Sequence, residues 1–217
     1  MVEGETERKF LETALRPHLA QFDIDLRAML VTTNRKQGGR GGVVTYDHLK
    51  NDLARYMRSD RNPEARFTTM LDLYRLPRDF PARSEIPTGT PGLAKVAALE
   101  AALKRDLPDS RFVPYIQLHE FEALLYCDLS QLSKHFSGGG SDVGFADLAR
   151  EVAGMAPEDI NEGDTTAPSK RIIKHVDIYK RSKVRVGAIA AAAIGLPSLR
   201  ARCPHFDAWV SALEKLR

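Results

Sequence analysis

The sequence contains few of the residues that build cross-linked or membrane-spanning proteins. Its only two cysteines, Cys127 and Cys203, stand far apart and in no CxxC spacing. They do not support a disulfide framework or a cysteine-based zinc site, and we expect two reduced thiols. The longest apolar run, at 188–196, is much shorter than the roughly 18 residues of a membrane span. Because the chain also opens without a signal-peptide pattern, we expect a cytoplasmic protein that does not enter a membrane.

A strong net charge is also missing, since 32 basic and 29 acidic residues leave a formal charge of +3. The basic residues are nevertheless concentrated in 170–185, where only Asp177 opposes them. This stretch contains Lys170, Arg171, Lys174, Lys180, Arg181, Lys183 and Arg185. Such asymmetry is typical of a surface that faces phosphate groups, although a solvated helix face has the same composition.

Hydrophobic periodicity predicts alternating helices and strands in the first part of the chain and helices alone in the second. Helices are expected at 5–21, 46–57, 93–107, 120–125, 143–153, 168–175, 184–195 and 204–216, and strands at 25–33, 66–74 and 111–118. Pro114 places the last strand at a sheet edge or a bulge. The sequence therefore predicts an α/β fold with a parallel-sheet core in 1–126 and a helical portion in 127–217, packed as one compact domain.

Acidic residues stand at or beside the ends of the predicted strands. Glu3 and Glu7 belong to the opening segment VEGETE, Asp72 ends the second clear strand, and Glu120 and Glu122 follow the third. Ligands bind at the carboxyl ends of parallel strands, so these side chains are expected to converge. Converging carboxylates suit Mg²⁺ or Mn²⁺, which activate water and stabilise charge on phosphoryl oxygens.

Each acid also has a plainer explanation when it is taken alone. Acids such as Glu7 or Glu122 favour the first turn of a helix through its dipole. Asp72 is harder to explain in this way, because an aspartate that ends an apolar strand needs a partner. His119 beside the two following glutamates fits either a ligand or base, or a hydrogen-bonded structural histidine.

Two basic segments are candidates for contact with nucleic acid. Arg35, Lys36 and Arg40 lie in a glycine-rich loop at 34–42, which does not match the phosphate-binding pattern GxxxxGK[ST] and so argues against nucleotide hydrolysis. Lys170 follows a predicted helix start, where backbone N–H groups favour anions. It could stabilise the transition state of phosphodiester cleavage or simply bind the substrate backbone.

The opening segment at 2–7 resembles the signature of toprim-type domains, particularly those of the overcoming-lysogenization-defect (OLD) nucleases. Four segments, which follow one another in the same order as in a small bacterial family of unknown function, resemble the motifs of that family. They are 67–77, 116–125, 167–172 and 203–209. The resemblance implies a toprim fold and divalent-metal phosphodiester chemistry on DNA or RNA. It further implies an ABC- or AAA-type ATPase partner in bacterial anti-phage defence.

Carried over residue by residue, the resemblance makes Glu3 the toprim glutamate, Glu7 the second acid of the OLD-type signature and Asp72 the first aspartate of the D-x-D motif. The chain departs from the pattern at Tyr74, where the second aspartate is expected, and in the short stretch before Glu3. The metal ligands predicted are Glu3, Glu7, Asp72, Glu120 and Glu122, the last two as replacements for the missing aspartate. The catalytic residues predicted are Glu3, Asp72 and Lys170.

Three functions remain open at this point. The first is a Mg²⁺- or Mn²⁺-dependent nuclease that acts beside an ATPase, with nucleic acid held by the glycine-rich loop and by the basic stretch. The second is a non-catalytic toprim-like scaffold that binds the ATPase or nucleic acid. The third is a transferase or phosphatase that acts on small phosphates, because one metal site serves many reactions. The sequence leaves oligomerisation open.

Overall fold

The structure, a computed structural model, describes residues 1–31, 45–136, 140–160, 163 and 165–216. Most of the described chain is helical, and the strands are short. The helices are α1 (Glu5–Phe10), α2 (Arg16–Leu19), α3 (Tyr46–Ser59), α4 (Gly92–Asp106), α5 (Leu129–Ser133), α6 (Ser141–Glu151), α7 (Pro168–His175), α8 (Tyr179–Ile194), α9 (Leu196–Arg202) and α10 (Pro204–Glu214). The strands are β1 (Phe67–Thr68), β2 (Leu71–Asp72), β3 (Phe112–Val113) and β4 (Ile116–Gln117). A π-helical turn at Leu11–Leu15 joins α1 to α2, and further 3₁₀ turns include Leu73–Arg75 and Phe121–Cys127.

The strand pairs are parallel, as the alternation of elements predicts. β1 pairs with β3, and β2 pairs with β4 in the register that sets Leu71 opposite Ile116. Val2 extends this arrangement because it bridges both Leu30 and Met70 in parallel. The segment that precedes α1 therefore lies between the segment at Leu30 and the segment that carries β2. The mixed α/β class is thus confirmed, with a smaller sheet than expected.

The predicted strands at 66–74 and 111–118 are each divided into two short strands, and a side chain explains the division. Pro114 has no backbone N–H to donate. Beside it, the Tyr115 N–H donates to the Thr69 hydroxyl at 2.9 Å, and that hydroxyl donates to the Tyr115 carbonyl at 2.9 Å. The side chain of Thr69 therefore replaces a rung of the backbone ladder. The predicted strand at 25–33 is, in its described part, a single bridge at Leu30.

Helical boundaries also differ locally from the prediction. The helix expected at 120–125 is the 3₁₀ turn Phe121–Cys127, whose seven residues are all buried. The helix expected at 184–195 begins earlier, at Tyr179, and ends at Ile194, before Gly195. Gly195 has a positive φ of 82°, which few other residues adopt, and the chain turns there into α9.

The first and last helices share one hydrophobic core. The ring of Phe10 in α1 lies 5.5 Å from that of Phe121 and 6.2 Å from that of Phe206 in α10. Trp209 stacks on Tyr115 with a centroid distance of 4.2 Å and an angle of 8°. The beginning of the chain, the strand ends and the C-terminal helix are therefore packed against one another, which fixes the position of the acidic residues described below.

The longest C-terminal helix, α8, has apolar side chains both in the core and on the surface. Val186 and Ala190 are buried, whereas Val184 and Ile189 are exposed. Within the described residues no single helix is long and apolar enough to cross a membrane. One pair, α8 with α9, passes the same test of length and composition, and its two helices are bent by 86°.

Candidate acidic site

The start of the chain contributes two buried carboxylates. Glu3 directly follows the bridging residue Val2, and Glu7 lies on the first turn of α1. Gly4 between them has extended backbone angles, so its role concerns space and not backbone strain. A Cβ atom at Gly4 would lie 2.8 Å from Oε2 of Glu7. The glycine therefore gives the Glu7 carboxylate the room to turn back toward Glu3.

Asp72 is the last residue of β2, and it is buried. Its Oδ1 accepts a hydrogen bond of 2.9 Å from the backbone N–H of Phe121. Phe121 begins the 3₁₀ turn after β4, so this bond ties together the carboxyl ends of two neighbouring strands. The sequence predicts that Asp72 needs a partner, and this N–H is one.

Glu120 is held by the start of α7. Its two carboxylate oxygens accept hydrogen bonds from the backbone N–H of Ser169 at 2.8 Å and from the hydroxyl of Ser169 at 3.0 Å. The helix terminus that the sequence offers as a phosphate site therefore binds a carboxylate of the same chain. Lys170, the next residue, is exposed.

Glu122 is the most deeply buried of the five acids, with no exposed surface. Its Oε1 accepts hydrogen bonds from the Tyr179 hydroxyl at 2.9 Å and from the Lys183 ammonium at 3.0 Å. Its Oε2 is buried and has no hydrogen-bond partner among the described residues. A buried carboxylate oxygen without a partner is costly, which marks this atom as one that a ligand could satisfy.

The five acids act on one another electrostatically. Burial raises the pKa of Asp72 well above its ordinary value, and the charges of Glu7, Glu3 and Glu122 raise it further. Burial likewise raises the pKa of Glu7 to about 7, reinforced by Glu122 and Glu3. The pKa of Glu3 is raised by burial and by Glu120, against the lowering effect of Arg75, whose guanidinium lies 3.9 Å away. These acids are therefore near enough to perturb one another's pKa.

Lys183 contacts the acidic site, although the sequence analysis names it only as part of the basic stretch and gives it no role there. Burial lowers its pKa, but Glu122, Glu120 and Asp72 raise it to a value above that of an ordinary lysine. Together with Tyr179 and Gly187 it forms a face of α8 that recurs every four residues. A Cβ at Gly187 would lie 3.2 Å from Cγ2 of Thr6, so the glycine permits close approach of α8 to α1. This spacing within the basic stretch is the signal that could have identified Lys183.

The donor set fits a hard cation, although the carboxylates are not yet arranged around one. Within the described chain no group of three or more His, Cys, Asp or Glu side chains is placed to hold a metal ion. All five candidate ligands nevertheless supply oxygen, which Mg²⁺ and Mn²⁺ prefer. Lys183 contacts Glu122, and the guanidinium of Arg75 lies 3.9 Å from Glu3, so both oppose the negative charge of the acids. The unpartnered oxygen of Glu122 adds a free ligand atom to the set.

Two of the predicted nucleic-acid contacts are paired within the chain. Arg171 and Lys174 both bind Glu151 of α6, the latter at 2.7 Å. Lys174, His175 and Arg171 together lower the pKa of Glu151 to about 2. These residues thus join α6 to α7, and their positive charges are largely engaged in ion pairs with Glu151.

The remaining basic candidates are distributed differently. Lys180 and Arg181 are exposed at the start of α8. Arg35, Lys36 and Arg40 lie outside the described residues. The structure therefore leaves exposed positive charge on the same helix that directs Lys183 toward the acids.

His119 lies beside the acids in sequence but has contacts of its own. It is buried, and its Nε2 is 3.0 Å from the backbone oxygen of Glu158. Its carbonyl accepts a hydrogen bond of 2.9 Å from the Tyr74 N–H. These contacts are those of a histidine that holds the segment between β4 and the acidic 3₁₀ turn.

Comparison with known proteins identifies the family of this chain and nothing more specific. Residues 2–214 match the family model described as Domain of unknown function (DUF4276), and the chain belongs to that family. A search of curated proteins and a search of solved structures both found no match.

Proposed function

We propose that this protein is a Mg²⁺- or Mn²⁺-dependent nuclease that hydrolyses phosphodiester bonds at the acidic site. The observation that carries the proposal is the burial of five carboxylates, drawn from separate segments, with the ammonium of Lys183 in contact with one of them, Glu122. Carboxylates that raise one another's pKa in this way release protons when a cation binds, which links the site to metal binding.

The ligands proposed for the cation are Glu3, Glu7, Asp72 and the unpartnered Oε2 of Glu122. When bound, a divalent cation would activate water and offset charge on the phosphoryl oxygens. The other residue with a role in the proposal is Lys183, whose side chain is 26% exposed although its ammonium contacts Glu122. It reaches solvent and carries a positive charge beside the acids, which suits it to hold a substrate phosphate in place of the predicted Lys170.

The finer fold proposed for the core is toprim-like. This rests on the order of its parts, in which Glu3 and a glycine turn precede the first helix and Asp72 ends a parallel strand further along the chain. By the same resemblance, an ABC- or AAA-type ATPase is the proposed partner, and anti-phage defence the proposed setting. Exposed Lys170, Lys180 and Arg181 are the proposed contacts to the nucleic-acid backbone, so binding should weaken as salt rises.

A second function, the non-catalytic scaffold, is favoured by one observation. The carboxylates already accept hydrogen bonds from the chain itself. Phe121, Ser169 and Tyr179 donate to Asp72, Glu120 and Glu122. Backbone groups donate to Glu3 and Glu7. Carboxylates that are hydrogen-bonded within the chain can hold helices against the strand ends without any metal. The two functions differ in whether the site binds a divalent cation at all.

The test compares cleavage with metal binding in the full chain, alone and with the proposed ATPase partner. Plasmid DNA and RNA are incubated with Mg²⁺ or Mn²⁺ and with EDTA, and Mn²⁺ binding is measured by calorimetry. Asp72→Asn and Glu3→Gln preserve side-chain shape while removing a negative charge, and Glu12→Gln changes an exposed acid on the following helical turn as a matched control. We expect metal-dependent cutting that the first two variants lose and the control retains.

Other results would contradict the proposal. Cutting that survives both Asp72→Asn and Glu3→Gln would place the activity elsewhere or in a contaminant. Absence of both Mn²⁺ binding and cutting under every condition, with the ATPase still bound, would support the scaffold.

A further inference from the structure

The two cysteines, which the sequence separates by 76 positions, are neighbours in the fold. Their Sγ atoms lie 3.4 Å apart, and both side chains are buried. Cys127 is the last residue of the 3₁₀ turn that carries Glu122, and Cys203 directly precedes α10. The sulfur pair therefore stands between the acid-bearing turn and the C-terminal helix.

The backbone around the pair is held in place by other bonds. Arg202 donates from Nη1 to the carbonyl oxygen of Cys127 at 2.6 Å and to that of Tyr126 at 3.1 Å. The backbone segments that carry Cys127 and Cys203 are thus already held next to each other. Closing a disulfide would require the sulfurs to approach from 3.4 Å to about 2.05 Å.

We propose that Cys127 and Cys203 are a modification site at which a peroxide-class oxidant forms an intramolecular disulfide. The Cys127 thiolate attacks one peroxide oxygen, the O–O bond breaks, and the displaced hydroxide takes a proton to become water. The Cys203 sulfur then attacks the resulting sulfenic acid, and the hydroxide that leaves takes the Cys203 proton to become a second water. Two thiols are oxidised and one peroxide is reduced, so atoms and electrons balance.

The surroundings favour Cys127 as the attacking residue. It is 6% exposed, whereas Cys203 has no exposed surface. The hydrogen bond between the two thiols and the nearby charge of Arg202 lower the pKa of Cys127 against the opposing effect of burial. A thiol that is both more accessible and more acidic is the one that reacts first.

The bond would enclose the chain from Cys127 to Cys203, which includes α5 to α9. Ser169, Tyr179 and Lys183, the partners of Glu120 and Glu122, all lie within that loop. A cross-link of this kind constrains the unfolded chain, so the oxidised protein should unfold at a higher temperature than the reduced one. The inference does not depend on the nuclease proposal, because it concerns the thiols alone.

The experiment treats the reduced full-length chain with graded hydrogen peroxide, then denatures it, alkylates it and measures its intact mass. We expect the mass to fall by two hydrogen atoms with no alkyl group added, a peptide that joins Cys127 to Cys203, reversal by dithiothreitol, and a higher midpoint of thermal unfolding. Cys203→Ser should instead leave Cys127 open to sulfenic-acid trapping. Met29 is 41% exposed and serves as an internal control for the dose, since its sulfoxide reports that oxidant was active.

Two outcomes would overturn the proposal. One is full alkylation of both cysteines at a peroxide dose that oxidises Met29. The other is a disulfide between two chains, seen as a dimer on a non-reducing gel, in place of the internal bond. Both are read from the wild-type protein, so neither depends on whether a cysteine variant folds.

Discussion

Replacing Glu7 with glutamine should stabilise the metal-free protein at alkaline pH and change it little in acid. Burial, and then the charges of Glu122 and Glu3, raise the pKa of Glu7 from 4.5 to about 7. Between these values the folded protein holds a proton that the unfolded chain has released, so stability falls as pH rises. By pH 8 the accumulated cost is about 3 kcal/mol, at 1.36 kcal/mol for each pH unit between the two pKa values. Glutamine resembles the protonated acid and avoids this cost.

The measurement is urea unfolding of the wild type and Glu7→Gln at pH 4 and at pH 8, with EDTA present throughout. We expect the gain from the substitution to be larger at pH 8 by up to about 3 kcal/mol, with Glu12→Gln as the exposed control. An equal effect at the two pH values, or a loss of stability at pH 8 alone, would refute the assignment of a buried, repelled carboxylate.

If the nuclease proposal is correct, Mn²⁺ should act on the two proteins in the opposite sense and favour the stability of the wild type over that of Glu7→Gln. A ligand that binds only the folded protein stabilises it in proportion to the logarithm of its concentration over Kd. The wild type should then gain more stability from Mn²⁺ than Glu7→Gln, because the variant has lost one of the proposed ligands. Equal gains would remove Glu7 from the metal site while leaving the pH argument intact.

Two glycine substitutions test the packing of the site and of its support. Gly4→Ala places a methyl group 2.8 Å from Oε2 of Glu7 and should displace that flexible carboxylate. We expect weaker Mn²⁺ binding by calorimetry and little change in the free energy of unfolding. Unchanged Mn²⁺ binding would count against Glu7 as a ligand. Gly144→Ala places a methyl group 2.2 Å from the backbone oxygen of His175, where α6 meets α7, and should cost about 1–3 kcal/mol in urea unfolding. A neutral result at Gly144 would mean that these helices separate easily.

The elements that the sequence predicts well are those governed by local periodicity. The helical stretch at 5–21 and the helices α3 and α4 occur where apolar spacing places them. Strand length was predicted less well, because it depends on a contact between distant residues. Thr69 takes the hydrogen bonds that backbone groups beside Tyr115 would otherwise make, and nothing in the local sequence indicates that exchange.

The same distinction applies to the site. The acids were predicted because a strand end is a local feature. Parallel pairing then sets Asp72 opposite Gln117, and the backbone N–H of Phe121 donates to the Asp72 carboxylate. The choice among the basic residues could not be made, since it depends on which face of α8 packs against α1. Gly187 and Tyr179 set that face, and it directs Lys183 to the acids, whereas Lys170 lies on α7 and is exposed. The proximity of Cys127 and Cys203 was equally hidden, because no local pattern links residues so far apart.

The energetics of the site bear on the choice between nuclease and scaffold. Hydrogen bonds from Phe121 and Ser169 would be accepted as well by amide side chains as by the carboxylates of Asp72 and Glu120. Amides would hold the helices to the strand ends without mutual repulsion, and the metal-free fold would be more stable for it. A scaffold therefore has no use for the negative charge, whereas a cation site depends on it, because repulsion between the acids is what a bound cation relieves. Burial and the charges of Glu122 and Glu3 raise the pKa of Glu7 despite the lowering effect of Lys183, and this cost of a metal-free site accordingly weighs toward the metal-dependent function.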